Sequence, residues 1–142
     1  MSALLGALRE SEQVAVAYID LDSFKSVNDE LGHAAGDELL RVVAARVRSV
    51  TRARDWIGRI GGDEFVVICP KSSGAFELPS LVERLTEAIN GDVSFAKERI
   101  PLRASVGAAI SNPGEVDAEA VLTRADAAMY EVKRRKRAAI AS

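Results

Sequence analysis

The chain is 142 residues long, room for about one domain at roughly 150 residues each and enough to bury an ordinary core without staples. Apolar residues make up 48% and charged residues 28%, a globular composition far from that of a disordered chain. Nineteen Lys and Arg stand against 21 Asp and Glu for a net charge of −2, which argues against a general basic grip on a nucleic acid polymer; the single cysteine, Cys69, rules out an intramolecular disulfide and a multi-cysteine zinc site.

Residues 2–8 place Leu4, Leu5 and Leu8 at helical spacing. Val14–Ile19 is a nearly continuous apolar run that stops at Asp20-Leu21-Asp22, the pattern of a strand buried on both faces with carboxylates at its C-terminal edge. Ser23 is the expected N-cap of a short helix through Glu30, stopped by Gly32. A second helix is predicted over about 35–50, with Leu39, Val43, Val47 and Val50 on one face. Trp56–Ile60 and Glu64–Ile68 are β-prone runs joined by Gly61-Gly62, a hairpin signal. Residues 70–79 read as a loop and 81–90 as a helix. Residues 99–110 read as one strand, broken by Asn112-Pro113-Gly114, and 118–137 as a last helix with Val121, Ala125, Ala128 and Val132 on one face. The order β-α-α-β-β-α-β-α predicts an α+β fold, a ferredoxin-like and mostly antiparallel sheet with helices packed on it. One domain over residues 1–142 is expected.

Asp20 and Asp22 sit where a buried strand ends, and Asp63-Glu64 follow a Gly-Gly turn between two other strands. If those strands are neighbours, the carboxylates converge. An oxygen-only set without His or Cys suits a hard ion such as Mg²⁺. The alternative is ordinary: Asp caps helices, and Asp and Glu populate turns. Gly61 and Gly62 are either plain turn residues or a place where a phosphate or ribose approaches the backbone. No apolar run reaches the roughly 18 residues of a membrane span, and the first residues lack a signal-peptide layout. A cytoplasmic chain that makes no membrane contact itself, alone or as the cytoplasmic part of a larger or membrane-tethered protein, is the expectation.

Several blocks together resemble one family: residues 19–29 (IDLDSFKSVND), 32–37 (GHAAGD), 59–65 (RIGGDEF), 104–107 (ASVG) and 125–133 (ADAAMYEVK). In this order they are similar to the GGDEF family of diguanylate cyclases, and they run over nearly the whole chain. The resemblance implies a nucleotide-cyclase palm that condenses two GTP into cyclic di-GMP and two pyrophosphates, in a transient homodimer of facing half-sites. It implies Mg²⁺ or Mn²⁺ held by Asp20, the backbone carbonyl of Leu21 and Asp63, with Asp63 or Glu64 as proton acceptor. Lys25 is implied as the cation that stabilises charge on the phosphates, and Phe24 as a backbone N–H donor to phosphate with its ring in the core. Asn28 and Asp37 align with the guanine-reading pair, whose donor and acceptor groups match the base. His33 is either a structural hydrogen bond beside the site or a ligand contact. Lys133 and Arg137, four apart and so on one helix face, align with phosphate contacts, although Lys136 and Ala138 stand where the family usually has Gly and Asn. Arg52-Ala53-Arg54-Asp55 matches an RxxD site for inhibitory product binding, through Arg52 and Asp55. Without the family, Lys25 is a solvated lysine, Asn28 a helix-end polar residue, Asp37 a helix N-terminal charge and Lys133–Arg137 a solvated helix end. The usual opening segment, Asp-x-Leu-Thr-Gly-Leu-x-Asn-Arg, does not occur in residues 1–12. A catalytically weak or inactive GTP- or cyclic di-GMP-binding regulatory module is the alternative expectation.

Overall fold

The computed structural model describes residues 2–10, 13–70 and 77–141. The buried run ending in Asp20-Leu21-Asp22 forms strand β1 (Val14–Leu21) at the centre of a sheet, flanked by β3 (Glu64–Pro70) and β6 (Ala104–Ile110), with β2 (Trp56–Arg59) outside β3. Every neighbouring pair is antiparallel. The two-residue period of β1 sorts its side chains between two cores. Ala15, Ala17, Ile19 and Leu21 join Phe65, Val67 and Val106 on one face, covered by α3 (His33–Ser49) and α4 (Leu78–Ile89) through Leu39, Val43, Val47, Leu81, Leu85 and Ile89. Val14, Val16, Val66 and Ile68 take the other face. There α1 (Ser2–Glu10) and α5 (Ala118–Ala141) cover them with Leu4, Leu8, Val121 and Ala125. The expected α+β, antiparallel, helix-flanked sheet is the observed one.

Helix α2 (Phe24–Leu31) bridges the end of β1 to α3. Gly32, at φ +88°, closes α2 and opens α3, a backbone state that favours glycine. Ser23 does flank α2, but at φ 62° and without a side-chain cap hydrogen bond, so it turns the corner rather than capping.

Three expectations need correction. Residues 99–110 are two strands, not one: β5 (Glu98–Leu102) pairs in a separate hairpin with β4 (Gly91–Phe95), and β6 begins at Ala104. The hairpin turns at Ala96 and Lys97, both at positive φ, where the usual Asn or Gly is missing. Helix α4 starts three residues early, at Leu78, because Pro79 is accommodated in its first turn. The Gly-Gly connection is longer than a two-residue turn: the Ile60 amide donates to the Glu64 carbonyl at 2.9 Å, and neither glycine has a positive φ. Most of the expected 70–79 loop lies outside the described residues.

Candidate active site

Register decides where the carboxylates meet. Asp20 pairs with Glu64 across β1 and β3, and the Leu21 amide donates to the Asp63 carbonyl at 3.0 Å. Asp63 therefore sits beside Asp20 at the C-terminal end of β1. Asp20 is buried at 9% exposure, and Lys133 Nζ donates to its Oδ2 at 2.5 Å. Its other oxygen, Oδ1, is buried with no hydrogen-bond partner. The neighbouring Asp63 carboxyl is pushed above its ordinary pKa, first by burial and then by the Asp20 charge, while Lys133 pulls it back. Two crowded carboxylates, one with an orphaned oxygen, are short of positive charge. No group of three or more His, Cys, Asp or Glu that could hold a metal occurs among the described residues. The two adjacent carboxylates supply oxygen donors, the kind a hard divalent ion prefers.

Glu64 is held separately. The Tyr18 phenol hydrogen-bonds to it, and burial, then the Glu64 charge, pushes that phenol up to about 12. Tyr18 thus stays neutral and able to donate at ordinary pH. A Cβ on Gly61 would lie 2.7 Å from Glu64 Oε1, so this glycine leaves the carboxylate its place. Beyond Gly62 the space is open.

Helix α5 carries the facing cations. Its backbone lies directly on β6, where a Cβ at Gly107 would come 2.0 Å from the Met129 amide nitrogen. That approach lets Lys133 reach Asp20. Val121 and Ala125 are buried as expected, whereas Ala128 and Val132 are half-buried and Met129 takes the inner place. Lys133, Lys136 and Arg137 line a pocket of about 310 Å³ with Asp22, Ser23 and Ile140. Lys136 Nζ donates to Asp22 Oδ2 at 2.8 Å, to the Ala104 carbonyl at 2.8 Å and to Ser105 Oγ at 3.2 Å. Ser105 Oγ in turn donates to Asp22 Oδ1 at 2.9 Å.

The α2–α3 corner gathers the next group. A Cβ on Gly36 would fall 1.9 Å from Asn28 Oδ1 and 3.3 Å from Phe24 Cζ. The Asn28 amide therefore lies over Gly36, next to the exposed Asp37. Phe24 is half-buried and packs on the core. Lys25 is exposed in the first turn of α2, and His33 is exposed at the start of α3.

Arg52 and Asp55 lie elsewhere, in the turn between α3 and β2. Asp55 is buried, and its Oδ2 accepts the Arg52 backbone N–H at 2.8 Å. Arg48 Nη1 donates to the carbonyls of Arg52 and Asp55 at 3.0 and 3.2 Å. These hydrogen bonds tie the turn together, and Arg52 is exposed on it. Cys69 lies beneath; burial, then the Asp55 charge, pushes its thiol up to about 12, so it is unreactive.

The chain is similar to known proteins. The family model "Diguanylate cyclase, GGDEF domain" matches residues 2–139. This chain belongs to the GGDEF family. It is 38% identical over 131 residues to the bifunctional diguanylate cyclase/cyclic di-GMP phosphodiesterase MucR of Pseudomonas aeruginosa, covering 92% of this chain and 19% of that protein. The chain thus spans about a fifth of that relative's length. A sensory box/GGDEF family protein from Caulobacter crescentus superposes with a TM-score of 0.85 at 34% identity, covering 94% of this chain and 89% of the other. The GGDEF domain of DgcB from Caulobacter crescentus, solved in complex with c-di-GMP, superposes at 0.80 with 31% identity, covering 94% and 81%.

In this GGDEF domain, the sheet brings Asp20, Leu21, Asp63 and Glu64 to one corner, joined by Lys133. Asn28 and Asp37 lie at the neighbouring α2–α3 corner, and Arg52 and Asp55 at a separate turn. Sequence reasoning gave no role to Tyr18, Ser105 or Gly107. Only the abrupt placement of a tyrosine and a glycine in otherwise apolar strands marks two of them. No helix among the described residues is long and apolar enough to cross a membrane.

Proposed function

We propose that this domain is a diguanylate cyclase that condenses two GTP into cyclic di-GMP and two pyrophosphates, each protomer holding one GTP. The observation that carries this reading is the corner where Asp20 and Asp63 crowd together, with one buried Asp20 oxygen unpartnered and Lys133 on the other. Asp20, the Leu21 carbonyl and Asp63 would hold Mg²⁺ or Mn²⁺. When bound, such an ion activates the attacking 3′-hydroxyl and neutralises phosphate charge. Glu64 is the better placed proton acceptor, because Asp63 is taken up with Asp20 while Tyr18 holds Glu64 apart. The 3′-oxygen of one GTP forms a bond to the α-phosphorus of the other, its proton passes to Glu64, and the α–β bridging bond breaks to release pyrophosphate. The reciprocal step closes the ring.

Asn28 and Asp37 read guanine, offering a carboxamide and a carboxylate to its edge. Gly61 and Gly62 let the nucleotide approach the backbone, and the Phe24 amide faces phosphate. Lys25, Lys133 and Arg137 neutralise the triphosphate. His33 opens α3 beside the base. Arg52 and Asp55 bind cyclic di-GMP as an inhibitor; about five strand residues at ~3.3 Å each put them roughly 15 Å from the Gly-Gly turn, too far for one product molecule to bridge. Inhibition is then exerted from a distance. Incubating the protein with GTP and Mg²⁺ and separating the products tests this reading. Cyclic di-GMP from the wild type and none from Asp63→Ala is the expected result; undiminished product from the variant would remove Asp63 from the mechanism.

A further inference from the structure

Resting on the cyclase reading, we propose that Lys136 is a positioning residue for the polyphosphate: by tying Asp22 to helix α5, it keeps that carboxylate from competing for Lys133 and Arg137. Of the basic run Lys133–Arg137, Arg134 and Arg135 turn outward and pair with Glu131. Lys133, Lys136 and Arg137 turn inward onto a pocket whose acidic lining residue is Asp22. An ammonium has three N–H donors, and Lys136 has three acceptors within reach: Asp22 Oδ2, the Ala104 carbonyl and Ser105 Oγ. None is left for a phosphate, so Lys136 acts through Asp22. Fully buried Ser105 donates to the other Asp22 oxygen, and both carboxylate oxygens are thereby held.

The consequence is electrostatic and geometric together. Asp22 lies one residue beyond β1, and its amide donates to the Arg103 carbonyl at 2.9 Å. Lys136 therefore pins the strand end that carries Asp20 to the helix that carries Lys133 and Arg137. Without its ammonium, Asp22 is an uncompensated anion on the wall of a phosphate pocket, free to draw Lys133 or Arg137 away. Lys136 is part-buried in this network, so the loss on removing its charge alone is relieved when Asp22 loses its charge as well.

The test compares wild type, Lys136→Met, Asp22→Asn and the double variant, by steady-state GTP kinetics and by calorimetry with inorganic triphosphate. Lys136→Met should raise KM for GTP and weaken triphosphate binding about tenfold, with kcat falling far less. The double variant should recover most of that loss, and Asp22→Asn alone should bind triphosphate at least as tightly as wild type. Unchanged KM and triphosphate affinity in a folded Lys136→Met would overturn the inference. So would a loss shared equally by kcat and KM that Asp22→Asn does not relieve. Should Lys136→Met not fold, weaker triphosphate binding by Asp22→Asn overturns it instead. Triphosphate binding requires no turnover: a wild type that binds it yet makes no cyclic di-GMP refutes the cyclase reading alone, and a wild type that binds none refutes this inference.

Discussion

At the scale of single residues, glycines determine where the polar groups can stand. Gly36 is bare because Asn28 lies across it. A methyl there must push the carboxamide aside, and with it the proposed base-reading pair of Asn28 and Asp37. Gly36→Ala should raise KM for GTP about tenfold, near the ~1.4 kcal/mol of one hydrogen bond, with little change in kcat; an unchanged KM would show that Asn28 does not read the base. The carboxylates themselves were legible in the sequence, since an apolar strand that stops at Asp20 and a Gly-Gly turn that stops at Asp63 announce their edges. Their partners were not. Lys136 lies 114 residues from Asp22 and 31 from Ser105, and no local pattern encodes such a pairing. The resemblance supplied Lys133 and Arg137, but treated Lys136 only as a departure.

Elements bring those residues within reach, and α5 does most of it. Its seat is Gly107, where the Met129 backbone would meet any side chain. Backbone cannot swing aside as a side chain can, so Gly107→Ala should cost about 1–3 kcal/mol and lower turnover as Lys133 is lifted from Asp20. Denaturant midpoints check the first effect. The start of α5 is held by Arg124, which donates to the Ile110 carbonyl and pairs with Glu115 at 2.7 Å. Hydrogen bonding from Arg124, then from the Asn112 amide, lowers the Glu115 pKa from 4.5 to about 2. A depressed carboxyl adds stability above its unfolded pKa, and that contribution is lost as pH falls from about 4.5 toward 2. Arg124→Met should therefore cost about 1 kcal/mol or less near neutrality, since the guanidinium is 38% exposed. The difference should shrink as pH drops through that window. A difference independent of pH in urea titrations would contradict this. Secondary structure was readable wherever periodicity ran long, as in α3 and β1. It failed at β4 and β5, because Ala96 and Lys97 occupy turn positions that normally announce themselves with Gly or Asn.

For the whole molecule, the account requires two half-sites to meet. In the proposed reading a single copy, with its acidic corner, α2–α3 corner and α5 cations, holds one GTP. Arg52→Ala should weaken cyclic di-GMP binding more than tenfold, the loss of a forked charge-assisted contact of at least ~1.5 kcal/mol, while initial turnover survives. Equal affinities by calorimetry would make that turn a purely structural feature. The overall α+β sheet was legible before the structure because strand order and helix spacing agreed with the motif order. The proposed meeting of two copies is legible only through chemistry, since cyclic di-GMP contains two nucleotides. Specific activity measured against protein concentration, with both products quantified, tests this most directly. The account predicts one cyclic di-GMP for every two pyrophosphates and a specific activity that rises steeply with concentration. A wild-type protein that yields no cyclic di-GMP at any concentration, with GTP and Mg²⁺ present, would contradict it.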